Sequence, residues 1–139
     1  MTLAHGATPR IPVSWGELID KISILEIKRE RIVARGAVAN VEKELGLLRK
    51  IAEPVLGSRE IAELKSRLGG VNRELWDVEI FLRDREAKGD FGAAFVDLAS
   101  SVYKKNDERM ALKTNINLLL KSELVDEKSY TTTSSGLQK

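Results

Sequence analysis

Cysteine is missing from this sequence, which excludes disulfides, thiol catalysis and thiolate metal sites. Histidine occurs once, as His5 in an N-terminal stretch without helical pattern. Imidazole catalysis, a metal site and a cofactor are therefore not expected. No apolar run approaches the length of a membrane span, and MTLAHGATPR lacks the apolar core of a signal peptide. The expectation is a cytoplasmic protein without a membrane partner. Aromatic residues are 5% of the chain and prolines number three, which suits helices better than packed strands. Neither sign of charge dominates, with 23 basic and 21 acidic residues interspersed and a net charge of +2. A nucleic-acid binder should show a basic face or tail, so no nucleic-acid partner is expected.

What is present suits one helical domain. The 139 residues are 42% hydrophobic and 32% charged, enough for a single core. The pattern divides the chain into an arm at 1–13, a helical domain at 14–130 and a disordered polar tail at 131–139. Ser14 caps the first helix, and Glu17 three residues later completes a capping box. This helix is expected from Trp15 to about Arg35, with Gly36 ending it. Leu18, Ile22, Leu25, Ile32 and Val33 form its main stripe, and Ile19, Ile24 and Ile27 lie on other faces. It should be covered on several sides, with Glu17, Lys21, Lys28 and Arg31 on one flank as i,i+4 ion pairs. A second helix is expected from Ala37 to Glu53, with Leu45, Leu48 and Ile51 inward and Pro54 stopping it.

Ser58 caps a third helix with the clearest pattern in the chain. Ile61, Leu64, Leu68, Val71, Leu75, Val78 and Leu82 alternate three and four residues apart as a heptad seam. The seam keeps register through Gly69-Gly70, so one helix should reach about Ala87. Asn72, Glu79 and Glu86 lie within about 60° of its centre and should face neighbours, with Trp76 beside them. Gly89-Asp90 is a tight turn and cap, making the third and fourth helices antiparallel neighbours. The longest proline-free stretch runs from Asp90 to about Lys121, and the rest should organise around it. Its stripe of Phe95, Leu98, Ala99, Val102, Ile116 and Leu120 is interrupted by Asn106, Arg109, Lys113 and Asn117. After it, SELVDEKSY is expected to fold back through Leu124, Val125 and Tyr130. The fold class is thus all-α: an antiparallel four-helix bundle with long third and fourth helices and an ordered C-terminal segment.

In an up-down-up-down bundle the polar interruptions fall at similar heights. Asn72 and Trp76 lie opposite Tyr103 and Asn106, Glu17 approaches Asn117, Lys21 approaches Lys113, and Lys28 and Arg31 come near Asn106 and Tyr103. Glu17, Lys28, Arg31, Asn72, Trp76, Glu79, Tyr103, Asn106, Arg109, Lys113 and Asn117 are then candidates to line a polar cleft. Arg109 and Lys113 would hold a carboxylate or phosphate. Glu79 and the asparagines would take hydroxyls, and an aromatic ring would stack. The expected ligand is a small anionic or polyhydroxylated molecule such as a sugar phosphate or nucleotide sugar. The alternative within the bundle is a network of internal ion pairs fixing helix register. A rival of another class is an adaptor that docks on a biosynthetic enzyme or forms a homodimer through apolar helix faces. The residues assign no reaction. ELID and ELWD echo paired acidic motifs of helical nucleotide pyrophosphohydrolases, but Glu74 and Asp77 project away from the seam. A chorismate-type helical mutase is an analogy of fold alone.

VSWGELIDKISILEIKRERI, VNRELWDVEIFLRDRE, SVYKKNDERMALKTNIN and LVDEKSY resemble a small bacterial domain family of unknown function. The resemblance covers roughly Ile11 to Tyr130. It implies a domain found alone or attached to helical-repeat proteins, sometimes beside genes for surface polysaccharide synthesis. It carries no activity and no catalytic residue, and it makes Gly69-Gly70 a departure from better helix formers.

Overall fold

Four helices carry the chain: α1 (Trp15–Arg31), α2 (Arg35–Leu56), α3 (Arg59–Ala87) and α4 (Ala93–Leu119). The computed structural model describes residues 3–130, so the tail expected at 131–139 lies outside the described residues. Among the described residues there is no strand, and the helices pack on one another as an all-α bundle. Residues 3–13 form no helix and are exposed.

The helix at the centre is α1, not the expected Asp90–Lys121 stretch. It packs against all three others, whereas α2 barely meets α3 and does not meet α4. Its sequence explains this position. Leu18, Ile19, Ile22, Leu25 and Ile27 point around much of the helix, and all are buried. Each is worth about 1.5–3 kcal/mol when fully buried, so α1 gains from neighbours on every side. By contrast no residue of α4 before Leu112 is fully buried. The core joins α1 to Val41, Leu45 and Ala52 of α2, Ile61, Leu68 and Val71 of α3, and Leu112 and Ile116 of α4.

Side-chain pairs fix the directions. Gly16 meets Asn117, Glu17 meets Lys113 and Asp20 meets Arg109, so α1 and α4 are antiparallel. Lys105 reaches Glu74, while Leu64 shares a groove with Asn115 and Leu118, so α3 and α4 are antiparallel too. It follows that α1 and α3 run parallel, and they touch directly. A square bundle would keep them apart on its diagonal. This one is closed along that diagonal, leaving α2 on the flank of α1.

Several boundaries differ from expectation. The first helix ends at Arg31, because Ile32 and Ala34 are extended. Gly36 sits in the first turn of α2, where glycine disturbs little, and does not stop α1. Pro54 is inside α2, which continues to Leu56. Two residues from the end, the missing N–H and ring clash disturb only a terminal turn. α4 takes its N-cap at Gly92, with Asp90 accepting the Gly92 N–H. Gly89 makes the turn with φ +67°, a value glycine adopts without cost.

α3 runs unbroken through Gly69-Gly70. A Cβ on Gly70 would meet nothing within 4 Å, whereas one on Gly69 would lie 3.2 Å from Arg73 Nη1 and 3.7 Å from Ser23 Oγ. Gly70→Ala should therefore stabilise the protein by about 0.5–1 kcal/mol, and Gly69→Ala by less. Urea unfolding of both variants checks this, and a loss with Gly70→Ala would refute it.

Candidate functional site

A polar stripe on α1 organises two polar systems. Ser14, Glu17, Asp20, Ser23 and Glu26 follow at steps of three residues. Each such step turns the stripe back by about 60° around the helix. The stripe therefore winds from the α4 side, past α3, toward α2.

The first system lies between α1 and α4. Asp20, with 1% of its side chain exposed, accepts Arg109 Nε at 3.1 Å and Nη2 at 2.5 Å. It also accepts Asn72 Nδ2 at 3.0 Å, and the same amide nitrogen reaches Ser23 Oγ at 3.4 Å. The hydrogen bond to Asp20 raises the Arg109 guanidinium pKa above its ordinary range, although burial opposes it. One turn away, Lys113 donates to Glu17 at 2.7 Å and lies 3.8 Å from Asp126.

Helix α1 begins inside this network. The N–H of Trp15 donates to Ser122 Oγ, that of Gly16 to Asn117 Oδ1 and that of Glu17 to Ser14 Oγ. Three donors that a helix start leaves over are thus satisfied by side chains. Ser14 Oγ and Asn117 Nδ2 both donate to Asp126. The segment after α4 is accordingly held by Ser122 and Asp126. Leu124, Val125 and Tyr130, expected to pack on the bundle, stay exposed.

The second system is an open cleft of about 460 Å³ where α1, α2 and α3 meet. Ser23 and Glu26 of α1, Arg49 and Leu56 of α2, and Ala62, Lys65, Ser66, Gly69 and Arg73 of α3 line it. Glu26 accepts Lys65 Nζ at 2.7 Å on one oxygen and Arg49 on the other. Burial alone would push the Glu26 carboxyl up, but the hydrogen bonds and charges of Lys65 and Arg49 hold it below its usual value. Arg73 stands at the rim, 2.9 Å from Glu30. The lining thus carries three cationic side chains against one carboxylate. Ser23 belongs to both systems.

The residues singled out from sequence do not converge on one concavity. Glu17, Asn72, Arg109, Lys113 and Asn117 share the first system, but one turn out of the expected register: Glu17 meets Lys113, and Asn117 meets the Gly16 N–H. Lys21 pairs with Glu44 of α2, away from α4. Arg31 pairs with Asp77 at 2.6 Å and lies over the Trp76 ring. Glu79 is exposed and paired with Arg83, because α1 ends near that height and covers α3 no further. Tyr103 is exposed, and Lys28 and Asn106 are half-buried outside the cleft. The flank of α1 makes its ion pairs to other helices and not along itself.

The model of DUF6165, a family of unknown function, matches residues 10–138. The chain belongs to the DUF6165 family. Neither the curated proteins nor the solved structures hold a match to it. No helix among the described residues of this DUF6165 chain is long and apolar enough to cross a membrane. Within it, sequence reasoning missed Asp20, Glu26, Arg49, Lys65, Arg73 and Asp126. The one signal in the sequence was the three-residue spacing on α1, which carries Asp20 and Glu26.

Proposed function

We propose that this chain binds a small anionic, hydroxyl-bearing ligand, of the sugar phosphate or nucleotide sugar kind, in the cleft between α1, α2 and α3. The supporting observation is the convergence of Arg49, Lys65 and Arg73 on one concavity whose lining includes a single carboxylate. The volume falls in the range of small-ligand sites. Arginine and lysine suit phosphate oxygens, and Ser23 and Ser66 offer hydroxyls. The α1–α4 network sets Asp20, Glu17 and Asp126 against Arg109 and Lys113 and has no cation in excess. The cleft lining, in contrast, has three cations to one carboxylate, so we assign the anion to the cleft and helix register to the network. Glu26, held charged by two cations, is a poor general base, so the reading is binding and not a reaction.

The test is native mass spectrometry of freshly purified wild type and Gly69→Leu, whose side chain would fill the cleft wall. The expected result is a retained small molecule on the wild type alone. Equal retention by both proteins, or none with no thermal shift by sugar phosphates, would sink the reading.

A second reading rests on a different observation. Leu118 is 72% and Leu119 47% exposed, and with Leu64 they line a groove between α3 and α4 rimmed by Glu60 and Glu63. Such an apolar surface is what an adaptor or homodimer would use. The same spectra discriminate, since a dimer mass abolished by Leu118→Ser would favour it.

A further inference from the structure

Glu26 occupies the place a ligand anion would take. One of its oxygens holds Lys65 of α3 and the other holds Arg49 of α2, and its own side chain is 18% exposed. On the reading that the cleft is the ligand site, we propose that the bound group is a phosphate-type oxyanion. It displaces Glu26 from Arg49 and Lys65 and recruits Arg73 as a third donor. Glu26 is thus a resident competitor for the ligand.

The choice of anion follows from counting oxygens and charge. A ligand carboxylate has two oxygens and one negative charge, so on Arg49 and Lys65 it would only repeat what Glu26 does. Displacing Glu26 would then add no contact and no charge to offset the exchange. A phosphate monoester has three terminal oxygens and carries a charge of about −1.5 to −2 at neutral pH. It can hold Arg49 and Lys65 and still offer an oxygen to Arg73.

Arg73 is placed to answer. Its present partner, Glu30, is 53% exposed, and exposed pairs of this kind contribute about 0–1 kcal/mol. Exchanging it costs little. Gly69 provides the room, because a Cβ there would stand 3.2 Å from Arg73 Nη1 and 3.7 Å from Ser23 Oγ. The guanidinium already lies against this glycine and can turn inward across it with no side chain at position 69 in the way. The displaced Glu26 carboxylate passes into the open mouth of the cleft, where water receives it.

The test is calorimetric titration at constant ionic strength with inorganic phosphate and with acetate, on wild type, Glu26→Gln and Arg73→Gln. Thermal melts of the variants confirm that each is folded. Wild type should bind phosphate and not acetate. Glu26→Gln should bind phosphate about tenfold tighter, the change expected when roughly 1.4 kcal/mol of competition is removed. Arg73→Gln should lose the preference for phosphate over acetate. Phosphate binding to wild type that is unchanged or weaker in Glu26→Gln would overturn the competitor role and leave the cleft reading standing. Equal affinity of wild type for acetate and phosphate would overturn the three-oxygen selection. No binding of either anion to wild type or Glu26→Gln would overturn this inference and the cleft reading together.

Discussion

Arg109→Met should destabilise the protein by about 3–5 kcal/mol, whereas Lys113→Met should cost about 1 kcal/mol or less. The two cations sit one turn apart on α4 and look equivalent in sequence. Their partners are not equivalent. Asp20 is 1% exposed, so without Arg109 its charge is stranded with only Asn72 to solvate it. Glu17 is 42% exposed and can be hydrated when Lys113 is gone, while methionine preserves the buried stem. Adding Asp20→Asn to Arg109→Met should restore much of the loss, because it removes the unpaired charge. Denaturant melts of these variants decide the matter. Equal losses for Arg109→Met and Lys113→Met would contradict the burial argument.

Gly16→Ala should destabilise by about 1–3 kcal/mol, the usual cost of forcing extra carbon into a packed contact, although alanine is the better helix former. A Cβ at position 16 would stand 2.6 Å from the Lys113 carbonyl oxygen and 3.0 Å from Asn117 Oδ1. The first of these is backbone of α4 and cannot swing aside. Moving the helices apart would also stretch the hydrogen bond from the Gly16 N–H to Asn117, now 2.6 Å. Thermal melts of Gly16→Ala beside Gly70→Ala make the comparison within one protein. If Gly16→Ala proved as benign as Gly70→Ala, the close approach of α1 and α4 would be wrong.

Periodicity made some of this legible and left the rest hidden, for physical reasons. The α3 seam from Ile61 to Leu82 was readable because packing imposes its three-and-four spacing directly on the chain. The many-sided burial of α1 was readable from Ile19, Ile24 and Ile27 lying off its main stripe. An apolar face says that it is covered, but not by which helix. That is why the direct α1–α3 contact, and with it the cleft, was invisible: Arg49, Lys65 and Arg73 look like ordinary solvated positions. Register was missed by one turn because it is set by a backbone contact at Gly16, not by matching helix ends. Asp20 was seen within a motif but not as the buried partner of Arg109. A charge whose counter-charge lies 89 residues away leaves no local trace.

The clasp between Ser14 and Asp126, 112 residues apart in sequence, has a mechanical consequence. The chain enters and leaves the bundle at one corner, on the α4 side of α1. A tension applied through residues 14 and 126 would load Ser14–Asp126, Trp15–Ser122 and Gly16–Asn117 one after another, as a seam is peeled, and not all at once. The fold would yield to pulling at that corner long before its buried core resisted. On the flank of α1 away from α4, the cleft would feel none of that pull until α1 itself began to lift.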